Sequence, residues 1–209
     1  MVTLLKKILQ RLKFIRKTNL SHYVNIEGWL TSAEATGLFQ IAERLLKNST
    51  VLEIGSWKGK STWCISQGLK KGTLHCIDPF NAAGEEGSKE IYEKTKGNNS
   101  LLEQFQNNMK GISEKVKITT HKGYSSDFVD AIPNIDFLFI DGDHSIEGCR
   151  FNYENFENEV KVGGFLAFHD YYPDRVELGS TWVIQNLVKQ NKNYIHYNDF
   201  DSLSVFKKI

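Results

Sequence analysis

The chain has 209 residues, 40% of them apolar and 24% charged, which suits one globular domain with a proper core and leaves no room for a second catalytic domain. Its net charge of +1 is unevenly spread: residues 1–20 hold Lys6, Lys7, Arg11, Lys13, Arg16 and Lys17 and no acid, so the remainder sets 20 basic against 25 acidic residues. Such a body lacks the basic footprint of a nucleic-acid binder.

The three cysteines (Cys64, Cys76 and Cys149) are widely spaced and suggest neither a disulfide framework nor a Cys-x-x-Cys metal site. No apolar run approaches the roughly 20 residues that span a bilayer, and residues 1–20 lack the apolar core and cleavage site of a secretion signal. A cytoplasmic protein in a reducing compartment is expected.

Within residues 1–20, Val2, Leu5, Ile8, Leu9, Leu12 and Ile15 recur at helical spacing among the six cations. This predicts a basic amphipathic helix, set apart from a catalytic domain over 21–209. Its apolar stripe fits packing on the body, on a partner subunit of a homo-oligomer, or at the inner face of a membrane as an interfacial helix. Thr31-Ser32-Ala33-Glu34 has the spacing of a capping box, so a helix should start at Ser32 and run to about Lys47.

Strands are then predicted near 50–54, 73–77, 115–119, 135–140 and 164–168, with helices near 59–69, 100–110, 145–160 and 180–190 separating most of them. Alternation of this kind argues for an α/β fold, a parallel sheet covered on both faces. The stretches 194–197 and 202–206 leave no room for a crossover helix and should pair as an antiparallel hairpin. The long irregular piece from Pro79 to about Ser100 follows a predicted ligand-binding strand and reads as a lid, with a short helix around Lys89–Lys94.

Residues 51–59, Val-Leu-Glu-Ile-Gly-Ser-Trp-Lys-Gly, are an apolar run ending in an acid and a turn with two glycines. This reads as a buried strand feeding a helix through a loop that hugs a ligand, where a Cβ at Gly55 or Gly59 would push the ligand away. The Glu-x-Gly-x-x-x-Gly spacing leaves no pyrophosphate cradle, so it disfavours a dinucleotide and suits a nucleoside without phosphate. Loop residues Ser56, Trp57 and Ser61 are candidates to line such a site. Asp78, ending the next strand, can accept both hydroxyls of a ribose. Glu53 can face an amino group of the ligand or hold the loop backbone.

Asp141, Asp143, His144, His169 and Asp170 follow two strands that should be neighbours, so they can converge. Carboxylates brought together repel one another unless a cation is bound, and oxygen donors suit magnesium or a similar hard ion. Tyr171, Tyr172 and Trp182 are candidates for an aromatic acceptor wall.

The 51–59 fingerprint, Ile77-Asp78-Pro79-Phe80, the run Phe139–Glu147 and the run Gly163–Tyr171 together resemble the class I S-adenosylmethionine-dependent methyltransferases. Within these, they are similar to a subgroup that methylates hydroxyls of sugars and antibiotics with a divalent metal. The resemblance covers about Gly28 to the C-terminus. It implies a Rossmann-like three-layer sandwich with a seven-stranded sheet whose last strand is inserted antiparallel.

By the same resemblance, Gly123-Tyr124-Ser125 is the adenine-contacting loop, and Asp141 borders both the cofactor and the metal. Asp141, His169 and Asp170 take the metal-holding positions, the middle one being usually acidic in that subgroup. An imidazole there shifts preference from magnesium towards manganese, iron or zinc. His144 is the preferred base for the acceptor hydroxyl, with Asp143 second.

The expected activity is methyl transfer from S-adenosylmethionine to oxygen on a sugar, glycan precursor or other small molecule, with magnesium or manganese. The alternatives are a catechol-type or other small-molecule O-methyltransferase, and a catalytically silent cofactor-binding module of a glycan-assembly complex.

Overall fold

The computed structural model describes residues 8–9, 12–15, 20–83 and 89–209. Most of the predicted basic helix lies outside the described residues, as does part of the predicted lid.

After a short helix α1 (Leu20–Asn25), helix α2 (Ser32–Arg44) starts at the predicted box: Glu34 N donates to Thr31 Oγ1 and Thr31 N donates back to Glu34 Oε2. Alternation follows as β1 (Ser49–Ile54), α3 (Lys60–Gly68), β2 (Gly72–Asp78), α4 (Lys89–Lys96), α5 (Leu101–Asn108) and β3 (Val116–Lys122). The second half is β4 (Ile135–Ile140), α6 (Ile146–Phe156), β5 (Val160–Phe168), α7 (Gly179–Asn186), β6 (Tyr194–Phe200) and β7 (Leu203–Lys208).

The seven strands form one sheet in the order β3-β2-β1-β4-β5-β7-β6, and only β7 runs against the others. The predicted helix over 145–160 ends earlier, at Phe156, and β5 begins earlier than predicted, at Val160. A register shift against β4 and a left-handed Gly163 (φ 85°) let the strand take up those extra residues.

Alternation along the strands sorts the core. Phe137 and Phe139 of β4 face one cluster with Phe39 of α2 and Trp63 of α3, whereas Leu138 and Ile140 face the other with Tyr153 of α6 and Val183 of α7. The result is three layers, α/β/α. Because β1 lies between β2 and β4, strand order reverses at its carboxyl end, and a crevice opens there.

The described N-terminal residues show which side chain packs. Phe14 is buried edge-on against Tyr23 and Phe39, and Lys13 pairs with Glu43 at 2.6 Å. The expected stripe residues Ile8, Leu9, Leu12 and Ile15 are exposed instead. Among the described residues no helix is long and apolar enough to cross a membrane.

Candidate functional site

A cavity of about 730 Å³ opens at the crevice, a size ordinary for a small-molecule site. Gly55, Ser56, Trp57 and Ser61 line it, as do Asp78, Gly123, Tyr124 and Ser125, and so do Asp141, Asp143, His144, His169 and Asp170. Tertiary structure thus gathers most of the predicted residues, drawn from the ends of five strands. Glu53 and Gly59 do not line it.

Their placement corrects the physical reason for the glycines. A Cβ on Gly55 (φ 90°) would stand 2.1 Å from the Asp141 carbonyl oxygen, and one on Gly59 (φ 88°) 2.5 Å from Met109 Cε. The chain needs glycine at both positions for the close approach of β4 and α5 and for the left-handed backbone, rather than to spare a ligand.

Glu53, fully buried, accepts hydrogen bonds from the hydroxyls of Ser56 (3.0 Å) and Thr62 on Oε2, while its Oε1 has no hydrogen-bond partner. Burial pushes its carboxyl up to about 7 against the opposing hydroxyl contacts, so it braces the loop from behind.

Asp78 shapes the loop from the next strand. Its Oδ2 accepts from Ser56 N (3.0 Å) and Trp57 N (2.8 Å), and its Oδ1 from Phe80 N (2.6 Å). Two acceptances fill the lone pairs of Oδ2, and Oδ1 keeps one free. Burial raises its carboxyl above the usual range even against these three donors. On the far side of the sheet order, Ser125 Oγ donates to Asn152 Oδ1 at 2.5 Å, and Tyr124 OH accepts from Asn81 at 3.2 Å. Asn152, a buried polar residue of α6, went unnoticed in the sequence; its place among Cys149, Tyr153 and Phe156 on the buried face is the signal that marks it.

The aromatic wall also differs from expectation. Tyr171, Tyr172 and Trp182 do not line the cavity; Tyr171 OH instead accepts from Lys189, and the Arg175 guanidinium lies 5.9 Å from the Tyr172 ring centre. Trp29, Trp57 and Tyr92 form the wall, with ring centres 5.2 to 5.8 Å apart. Tyr92 comes from α4, inside the predicted lid, and Lys58 Nζ ties α4 to the body by donating to Thr95 O (2.7 Å) and Glu27 (2.5 Å). Long-range contacts of this kind leave no periodic trace in sequence.

At the ends of β4 and β5 the ionisable groups converge. His144 Nε2 lies 3.3 Å from Asp170 Oδ2 and 3.9 Å from Asp141 Oδ1, and one ligand atom from each of these three residues falls within 4.8 Å of the others. Asp143 Oδ1 accepts from Ser145 N at 2.8 Å, so this carboxylate closes the turn before α6. Ser145 then caps that helix by accepting from Gly148 N.

His169 is buried, its Nδ1 3.2 Å from Asp141 Oδ1 and 3.3 Å from Asp170 Oδ2, its Nε2 3.2 Å from Glu34 Oε2. Neither ring nitrogen is aligned for a proper hydrogen bond. Burial alone would lower its basicity; the carboxylates of Asp141, Asp170 and Glu34 win and hold it well above the usual imidazole range. Burial likewise raises Asp141, but His169 and His144 lower it more. Two carboxylates and imidazole nitrogens gathered around one point, including a buried Nδ1 that no hydrogen bond satisfies, are a donor set that fits a divalent cation, whose binding would displace the proton that the carboxylates otherwise hold on His169.

A sequence model of the family described as "Methyltransferase domain" matches residues 52–171. A curated relative, uncharacterized protein R132 of Acanthamoeba polyphaga mimivirus, is 33% identical over 128 residues, 58% of this chain; the match spans 51% of that protein's length. Among solved structures, a Corynebacterium glutamicum protein (15% identity, TM-score 0.61) aligns over 87% of this chain and 82% of its own. The O-methyltransferase NovP (16%, TM-score 0.61) aligns over 87% and 83%. MycE methyltransferase of the mycinamycin biosynthetic pathway, in complex with Mg and SAH (15%, TM-score 0.60), aligns over 90% of this chain and 53% of its own. At such identities these structures share the fold.

Proposed function

The chain belongs to the methyltransferase-domain family, and we propose that it moves a methyl group from S-adenosylmethionine to a hydroxyl oxygen of a sugar or glycan precursor, with bound magnesium or manganese. The observation that carries this reading is the convergence of Asp141, His144 and Asp170 in the same cavity as the Gly55–Ser61 loop and Asp78. The solved neighbours NovP, named as an O-methyltransferase, and MycE, named as a methyltransferase in complex with Mg and SAH, support the same chemistry.

Methyl transfer from a sulfonium is an in-line displacement, so the protein must align donor and acceptor and remove the acceptor proton. In this reading the spare lone pair of Asp78 Oδ1 takes a ribose hydroxyl, and Gly123, Tyr124 and Ser125 meet the adenine. Trp29, Trp57 and Tyr92 pack on the acceptor ring. His144 Nε2 takes the hydroxyl proton, and the Asp170 carboxylate 3.3 Å away stabilises the resulting imidazolium. A bound divalent cation lowers the pKa of a coordinated hydroxyl.

The test is turnover of labelled S-adenosylmethionine with a panel of sugars, glycan precursors and catechols, with and without chelator. The expected result is a methylated sugar, lost on chelation and restored by magnesium or manganese. A catechol product alone would move the protein to the small-molecule alternative. Binding of S-adenosylhomocysteine without turnover of any acceptor would leave a silent module.

Residues 1–20 belong to this reading as a peripheral contact with an anionic membrane surface or partner subunit, supported by their uninterrupted positive charge and by the exposure of Ile8, Leu9, Leu12 and Ile15. The double variant Leu9→Glu, Leu12→Glu should reduce salt-sensitive binding to anionic vesicles and leave the fold intact. Equal vesicle binding by variant and wild type would remove the membrane from the proposal.

A further inference from the structure

We propose that Glu34 is a positioning residue: it holds His169 with Nδ1 aimed at the gap between Asp141 and Asp170, so that an imidazole completes the divalent-cation site. The inference rests on the metal reading above and adds to it a ligand's support, at a residue outside the Asp141–Asp170 motifs.

Glu34 is fixed on all sides. Its Oε2 accepts from Thr31 N at 2.7 Å, and its Oε1 accepts from Ser202 N at 3.1 Å and from Ser202 Oγ at 2.7 Å. The start of α2 and the turn between β6 and β7 thus clamp one carboxylate, which is only 2% exposed. The same Oε2 faces His169 Nε2 at 3.2 Å, an ion-pair contact off hydrogen-bond alignment that metal binding at Nδ1 would tighten. An imidazole that binds a metal through one nitrogen typically gives its other N–H to a carboxylate, which fixes the tautomer and the ring plane.

The opposite nitrogen is placed to match. Donor atoms bound about 2.1 Å from one small ion at right angles lie about 3 Å apart. His169 Nδ1 lies 3.2 Å from Asp141 Oδ1 and 3.3 Å from Asp170 Oδ2. His144 Nε2 also stands 3.3 Å from Asp170 Oδ2 but 3.9 Å from Asp141 Oδ1, so it is the less central of the two imidazoles and is assigned to the acceptor's proton. A set of two carboxylates and one imidazole ranks manganese above magnesium more strongly than three carboxylates would.

The experiment titrates Mn²⁺ into the full-length protein with S-adenosylhomocysteine, followed by calorimetry and by pulsed electron paramagnetic resonance, which reads nitrogen bound to manganese. Imidazole nitrogen coupling is expected in wild type and in His144→Ala, and should vanish in His169→Ala. Glu34→Ala should lower Mn²⁺ affinity about 10- to 100-fold with S-adenosylhomocysteine affinity unchanged. Glu34→Gln keeps the capping box and an oxygen facing Nε2, so its loss should be only severalfold.

Nitrogen coupling that survives in His169→Ala and disappears in His144→Ala would overturn the proposal while leaving the metal in place. Lower thermal stability in Glu34→Ala with unchanged Mn²⁺ affinity and coupling would make Glu34 a structural residue only. Should Glu34→Ala fail to fold, an unchanged Mn²⁺ affinity in Glu34→Gln overturns the proposal alone. Absence of Mn²⁺ and Mg²⁺ binding in wild type would overturn the metal reading and this one with it.

Discussion

Glu53 and Glu34 are two buried glutamates beside one cavity, 0% and 2% exposed, and they are held in opposite states. Around Glu53 the donors are the neutral hydroxyls of Ser56 and Thr62, burial dominates, and the carboxyl rises to about 7. Around Glu34 burial also raises the carboxyl, but contacts with His169 and Ser202 and the backbone N–H of Thr31 outweigh it and bring the carboxyl down to about 2. Depth alone therefore does not set charge in this protein; the partner does. The Gly55–Ser61 loop is braced by a group poised near neutrality, and the ionisable cluster by one locked as an anion.

The sharpest way to separate the two regions is turnover against binding. His144→Ala should lower the rate of methyl transfer by about 10² to 10⁴-fold and leave S-adenosylhomocysteine affinity unchanged. Asp141→Asn and Asp170→Asn should also lose activity, but excess magnesium or manganese should recover part of it. Recovery of His144→Ala by metal would mark His144 as a ligand and pass the base role to Asp143.

At the loop the expected losses are in stability and cofactor binding. Gly55→Val should cost at least about 3 kcal/mol in denaturant unfolding, because its Cβ would collide with the Asp141 carbonyl and its φ of 90° is poor for a branched residue. A variant as stable as wild type would show that β1 and β4 can part there. Asp78→Ala strips the acceptor from the N–H groups of Ser56, Trp57 and Phe80. A destabilisation of about 1–3 kcal/mol is expected, with roughly tenfold or greater loss of S-adenosylhomocysteine affinity by calorimetry. Unchanged affinity would place the ribose elsewhere.

The smallest effect tests the contrast between the glutamates directly. A carboxyl raised from 4.5 to about 7 on folding makes the native state bind more protons than the unfolded chain between those values. Its contribution is therefore fully present below about pH 4.5 and lost as pH rises through 7, by up to about 3 kcal/mol. Unfolding free energy measured from pH 5 to 8 should fall more steeply in wild type than in Glu53→Gln. Parallel curves would show that Glu53 is ionised throughout.

Much of the architecture is written locally. The capping box at Thr31–Glu34, the near-continuous burial of the apolar runs β1 and β4, and the short turn between β6 and β7 each depend on neighbours in sequence, and each was legible within a few residues. The motif residues were legible too, since a strand end is recognisable from its own pattern and strand ends meet at the crevice. What the structure corrected, or chose among open readings, depended on contacts between elements. Phe14, not the Leu12 and Ile15 stripe, packs inward because Tyr23 and Phe39 stand over it. Tyr92, not Tyr171 or Tyr172, lines the cavity because Lys58 anchors α4 beside the loop.

Sequence by itself determined an α/β sheet, its family, and the carboxylates and histidines that end its fourth and fifth strands, because backbone periodicity and strand-end chemistry are local properties. Only the tertiary structure decided that Glu34, 135 residues before His169, clamps that ring from behind, and that Gly55 is glycine to let Asp141 pass. Such contacts are set by how the layers close over one another, and neither the spacing of residues nor their kind records it.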